Sequence, residues 1–99
     1  MTLKQYFIKQ EEKQIIGNWI AFGKQDVGDD ACQRIEWLIE NHLVFVSHDK
    51  SGWNTLYKDP ADNRLWERIY LQSEMHGGGP PSLLLVNKKR LEEGYGASL

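Results

Sequence analysis

Cysteine is almost absent from this chain. Cys32 is the only one in 99 residues, so no intramolecular disulfide can form, a usage that suits a reducing compartment. With no cationic neighbour evident in sequence, Cys32 reads as a small buried apolar side chain rather than a reactive thiol. Long apolar runs are missing too. The opening MTLKQYFIKQEEK holds no signal-type apolar stretch, and nothing in the chain approaches the roughly 18 residues of a membrane span. A soluble, cytoplasmic protein with no membrane partner is expected. An excess of basic charge is also lacking: 12 Lys and Arg stand against 14 Asp and Glu, a formal charge of -2 with no polybasic run. Nucleic acid is therefore not an expected partner.

The motifs of several enzyme classes do not occur. There is no G-x-S-x-G nucleophile elbow, no G-x-x-x-x-G-K-[ST] and no G-x-G-x-x-G. The histidines His42, His48 and His76 form neither H-x-x-x-H nor H-E-x-x-H, and C-x-x-C is excluded by the single cysteine. The expectation is a protein with no catalytic residues, no metal and no cofactor.

What the chain does contain is aromatic and apolar residues enough to fold. Hydrophobic residues make up 40% and charged residues 26%, with 11 aromatics of which four are Trp, values of a globular chain rather than a disordered one. This length fits a single domain, residues 1–99, able to bury a core without a staple.

Turn clusters at 23–30 (GKQDVGDD), 48–52 (HDKSG), 58–63 (KDPADN) and 76–81 (HGGGPP) divide the chain. Between the first two, Ala31, Ile35, Leu38, Ile39 and His42 recur at helical spacing, and Asp30 followed by Gln33 has the form of a capping box. An amphipathic helix over 29–42 follows. Trp37 falls on the far side of its stripe and needs either a second packing partner within the fold or a partner protein. Segments 15–22, 43–48, 53–57, 64–71 and 82–86 read as strands, with a hairpin across KDPADN, where Pro60 pre-sets φ and Asp59, Asp62 and Asn63 can bond local backbone. The segment before 15 and NKKRLEEGY at 87–95, with Gly94 near its end, read as short helices. The fold class is α+β: a small antiparallel sheet of about four to five strands, one main amphipathic helix on a face and short terminal helices.

Two stretches carry the candidate function. In RLWERIYL, period-two alternation puts Leu65, Glu67, Ile69 and Leu71 on one face, read as core, and Arg64, Trp66, Arg68 and Tyr70 on the other, read as an exposed recognition surface. In EMHGGGPP, the permissive Gly77, Gly78 and Gly79 run into the rigid Pro80 and Pro81, which suggests a loop held in one shape. Such a loop either caps the sheet end or presents Glu74, Met75 and His76. The candidate partner-binding residues are accordingly Trp53, Arg64, Arg68, Glu74, Met75 and His76. Two alternatives stand beside this. One is a small-ligand module or minimal enzyme with a pocket near Glu67, Glu74 and His76, although Glu67 pairing with Arg64 or Arg68 is the plainer arrangement. The other puts the contacts at Trp37 or at the acidic residues of GKQDVGDD.

The series IIGNW, VGDDACQRIEWLIENHL, SGWNTLY, then Asp59, Pro60, Asp62, Arg64, Trp66 and Glu67 as D-P-x-D-x-R-x-W-E, and finally SEMHGGGPP, resembles the immunity protein 27 family over about residues 15–81. These are bacterial antidotes that accompany polymorphic toxins. The resemblance implies a non-enzymatic protein that binds and blocks a cognate toxin domain in the cytoplasm, and it leaves the oligomeric state open. Leu71 stands where the family pattern often has proline, which favours a strand continuing through 71.

Overall fold

The computed structural model describes residues 3–71 and 79–96. After a 3-10 turn at Leu3–Tyr6 come β1 (Gln14–Ile16), β2 (Trp19–Phe22), β3 (Gln25–Gly28), α1 (Asp30–Asn41), β4 (Val44–His48), β5 (Thr55–Lys58), β6 (Leu65–Ile69), β7 (Ser82–Leu85) and α2 (Lys88–Tyr95). Five strands form one antiparallel sheet in the order β1-β7-β6-β5-β4, and β2 and β3 form a separate two-stranded sheet. The α+β class, the antiparallel sheet and the principal helix are as the sequence indicates.

The helix starts one residue earlier than the capping box suggests. Asp29 is the N-cap, its carboxylate accepting from the Cys32 N–H at 3.0 Å, because the donor bonded by an N-cap side chain lies two or three residues on. Ile35 and Leu38 turn fully inward and join Ile15, Leu43, Tyr57, Trp66 and Leu83 in the core. Trp37 finds its second partner in the N-terminal segment, with the Tyr6 and Phe7 rings at 5.5 and 5.4 Å.

The two faces of β6 are not those that alternation alone suggests. Opposed residues of an antiparallel pair share a face; Trp66 opposes Tyr57 and Leu85, and Arg68 opposes Thr55 and Leu83. That face carries the core and α1, and Trp66 is 0% exposed. Glu67 lies on the other face, which α2 covers through Arg90 and Tyr95. The sheet is thus covered on both sides, and a period-two pattern cannot choose an exposed face when both are packed. The strand also ends at Ile69 rather than running through 71, and Leu71 is 53% exposed, not core.

The segment read as one strand over 15–22 breaks in two at Gly17, and the cluster read as a turn at 23–30 contains β3, paired with β2 from Trp19↔Gly28 to Phe22↔Gln25. Only Gly23 and Lys24 lie between the strands, with Gly23 at φ 66°, the glycine conformation that two-residue hairpin loops use. The break at 17 comes from close approach. The Gly17 N–H donates to Pro81 O at 3.1 Å and to Ser82 Oγ at 3.2 Å, and a Cβ built there would overlap Pro81 O and sit 2.7 Å from Cys32 Sγ. The KDPADN hairpin is present: Asp59 N–H donates to Arg64 O, Ala61 N–H donates to Asp59 Oδ1, and Asn63 takes φ 63°.

Substituting Gly17 by alanine should destabilise the protein by about 1–3 kcal/mol, the usual penalty for overpacking a close contact. Urea unfolding followed by tryptophan fluorescence checks this; an unchanged midpoint and slope would show that β1 and Pro81 can separate without loss.

Candidate functional site

Of the candidate partner-binding residues, Trp53, Arg64 and Arg68 are described, whereas Glu74, Met75 and His76 lie outside the described residues, as do Gly77 and Gly78. The remaining loop-shaping residues lie at the entry to β7. Gly79 has φ 78°, Pro80 is buried, and the Pro81 carbonyl accepts from Gly17.

Trp53 is 68% exposed, the most exposed of the large apolar side chains described. The turn that carries it is built on Asp49. Its carboxylate accepts from Ser51 Oγ at 2.7 Å, from the Gly52 N–H at 3.0 Å and from Asn54 Nδ2 at 2.9 Å, and Gly52 takes φ 80°. Burial opposes ionisation of Asp49, but the hydrogen bonds from Ser51, Asn54 and Gly52 outweigh it and hold the carboxyl below its ordinary range. The Trp53 N–H donates to Ser51 Oγ at 3.1 Å, so the backbone under the ring is fixed. On adjacent β4, an edge strand, Phe45 is 54% exposed, its ring 5.2 Å from His48 and 6.4 Å from Tyr57.

Arg64 is turned inward. Its guanidinium donates to Lys9 O at 3.0 Å, Gln10 O at 3.3 Å, Glu12 O at 3.0 Å and Asp62 Oδ2 at 2.6 Å, and its Cζ stands 5.1 Å over the Trp66 ring. Arg34, which sequence reasoning did not single out, does the same from α1, donating to Tyr6 O and Phe7 O and holding Glu12 through both carboxylate oxygens at 2.6 and 2.8 Å. The signal for it was its place three residues before Trp37, on the same side of the helix. Two arginines thus fasten residues 6–12 over α1 and the start of β6.

Arg68 is partly buried on the α1 side of the sheet. Nη2 donates to Thr55 Oγ1 at 3.2 Å, Cζ lies 5.5 Å from the Tyr70 ring, and Nε is buried without a hydrogen-bond partner.

Glu67 pairs with neither Arg64 nor Arg68, which project from the opposite face. Arg90 donates to it from Nε at 2.9 Å and from Nη2 at 2.5 Å, and Tyr95 OH donates at 2.7 Å. The bond to Glu67 pushes the Arg90 pKa upward against the opposing effect of burial, while burial and then the Glu67 carboxylate push the Tyr95 hydroxyl upward. Glu67 does line a depression of about 490 Å³ with Asn54, Ile69, Tyr70, Leu84 and Arg90. Three donors nevertheless occupy most of its acceptor positions, an arrangement that anchors α2. Burial raises the Cys32 thiol pKa, consistent with an inert side chain. Among the described residues no group of three His, Cys, Asp or Glu is placed to hold a metal ion, and no helix is long and apolar enough to cross a membrane.

Residues 22–87 match the family model described as Immunity protein 27. The chain belongs to that family. No curated protein and no solved structure matches it. As an immunity protein it falls in a class defined by protection against toxins. The matched span includes Arg34, Trp53, Arg64, Trp66, Glu67 and Arg68, but neither the fastened segment 6–12 nor Arg90 and Tyr95.

Two outcomes follow for the immunity protein's ion pairs. Arg90→Ala leaves the buried Glu67 carboxylate without its cation and should cost about 3 kcal/mol, the low end for a broken buried pair because Arg90 is itself partly exposed; calorimetric melting at neutral pH checks it, and a shift within error would mean that Tyr95 suffices. The bond from Arg34 lowers the Glu12 pKa from 4.5 to about 2. A carboxylate with a depressed folded pKa stabilises above its unfolded pKa and loses that contribution as pH falls. The difference in melting temperature between wild type and Glu12→Gln should therefore be full above pH 4.5 and shrink towards pH 2. A difference independent of pH would sink this account.

Proposed function

We propose that this immunity protein binds its cognate toxin domain in the cytoplasm and neutralises it by occupying its surface, with no catalysis of its own. The observation that carries the reading is Trp53, a tryptophan left 68% exposed on a turn whose backbone is fixed by the Asp49 carboxylate. Large aromatic side chains held rigid before binding are the usual anchors of protein interfaces, since little conformational entropy remains to be lost. Phe45 and Arg68 extend the contact surface, and Glu74, Met75 and His76 remain candidates on the connection between β6 and β7. Arg64 belongs to the frame instead, because its donors are bonded to the chain's own carbonyls. Family membership supports the partner class, and it names no individual toxin.

The full-length protein, tagged and used as bait in lysate of its source strain with toxin expression induced, should retain a toxin domain at near-stoichiometric yield. Titration calorimetry with that domain then tests the anchor. Trp53→Ala should weaken binding at least about 30-fold, the effect of an interface hot spot of roughly 2 kcal/mol, with circular dichroism unchanged. Equal affinity of variant and wild type would move the interface elsewhere, and a folded bait that retains no toxin domain from a lysate shown to contain one would count against the antidote reading itself.

A further inference from the structure

The chain has four arginines, and they are not used alike. Arg34 meets Glu12 at 2.6 Å, Arg64 meets Asp62 at 2.6 Å, and Arg90 meets Glu67 at 2.5 Å and Asp49 at 3.2 Å. Arg68 has no carboxylate partner among the described residues. The groups that face it are Thr55 opposite on β5, Leu83 opposite on β7 and Tyr70 just past the end of β6, with His48 Nδ1 3.3 Å beyond the Thr55 hydroxyl. None carries negative charge. One bond to a neutral hydroxyl and one ring face leave a partly buried guanidinium under-satisfied, and its Nε adds a buried donor with no acceptor.

We propose that Arg68 is the receptor for a carboxylate of the partner, an Asp or Glu side chain presented by the toxin domain. For the identity of the partner this rests on the function proposed above. A guanidinium fork matches a carboxylate at two points, and the pair strengthens where water is excluded. The surroundings favour that exclusion. Trp53 stands two residues before Thr55, which opposes Arg68, and Phe45 opposes Tyr57 on the face of the sheet that carries Arg68; both are large exposed apolar side chains on the side from which a partner would approach. The Tyr70 ring and the Thr55 hydroxyl hold the guanidinium in place before the partner arrives. Arginine and tryptophan are both enriched among interface hot spots.

The first test needs no toxin. In uniformly ¹⁵N-labelled full-length protein, the arginine Nε–H resonances are followed during titration with sodium acetate against sodium chloride at matched ionic strength, with Arg68→Lys identifying the Arg68 signal. Arg68 should shift saturably with acetate alone while the other three arginines stay in place. An unmoved Arg68 signal, or four signals moving together, would overturn the proposal. So would a Glu74→Gln variant in which the Arg68 signal moves before any acetate is added, since the counter-ion would then be internal. A parallel titration with phosphate separates a carboxylate receptor from a general anion site; tighter binding of phosphate than of acetate would overturn the carboxylate assignment.

The second test uses the recovered toxin domain. Arg68→Gln should weaken binding at least about 30-fold and flatten its salt dependence, with Arg68→Lys restoring only part, because a lysine supplies the charge without the fork. Wild-type binding with an unaffected Arg68→Gln variant would refute the receptor while leaving the antidote reading intact. Failure of the wild type to bind would strike the antidote reading, and the acetate titration would still decide Arg68.

Discussion

The fold turns on two successive residues of its central strand. β6 is the third of five strands, and Trp66 and Glu67 project from opposite faces of it. Trp66 lies in the apolar core with Ile35 and Leu38 of α1, while Glu67 takes Arg90 and Tyr95 of α2. One helix is therefore held by apolar contact and the other by a buried, charge-assisted hydrogen-bond set. The two kinds of bond fail differently. Removing atoms from an apolar contact leaves a cavity whose lining can relax, whereas removing one member of a buried charge pair leaves an ion with no compensation.

The frame around this strand reaches past the part of the chain that defines the family. Arg34 and Arg64 belong to the matched region 22–87, but the carbonyls they bind, and the carboxylate that Arg34 holds, belong to residues 6–12. The same segment supplies the rings that flank Trp37. Among the described residues, 6–12 pair with no strand and close only a turn of their own, in which the Glu12 N–H donates to Lys9 O, and two guanidinium groups supply the donors that a sheet would otherwise provide. In the same way, α2 completes a face whose buried carboxylate lies inside the matched region. Both terminal segments thus act as covers, held mainly by arginine.

Much of this architecture was legible in the sequence because its signals are local. The spacing of Ile35, Leu38 and Ile39 defines α1, the Pro60 turn defines the hairpin, and NKKRLEEGY marks α2, which runs past Gly94 to Tyr95 with Gly96 as its C-cap. What could not be read was whatever depends on the third dimension. Trp66 looked like surface because it alternates with Glu67, and only coverage of both faces makes each of them buried. Glu67 was expected to pair with an arginine of its own strand, yet i±1 and i−3 neighbours on a strand point away from it. The break at Gly17 depends on Pro81, 64 positions further along, whose carbonyl occupies the place of a side chain. Of the residues proposed as contacts on residue type, Trp53 is exposed and Arg68 partly buried, whereas Arg64, chosen on the same grounds, faces the chain's own N-terminal segment. Residue type alone does not separate an arginine that closes the fold from one that does not.

That separation matters for the proposed binding role, because contact residues already held in a fixed arrangement lose less entropy when a partner binds. The order runs outward through a series of hydrogen bonds. Glu67 fixes Arg90, Arg90 also reaches Asp49, Asp49 gathers Ser51, Gly52 and Asn54, and Ser51 receives the N–H of Trp53. The most exposed of the large apolar side chains described is therefore connected, in four steps, to the buried carboxylate at the centre of the sheet. A tryptophan on a loose turn would have to be immobilised when a partner binds, at a cost of about 0.5–1.5 kcal/mol for the side chain and more for the turn beneath it. Here the Asp49 network bears that ordering during folding. The buried pair at Glu67 holds α2 on the sheet and, through Asp49, also contributes to the rigidity of the surface where Trp53 stands.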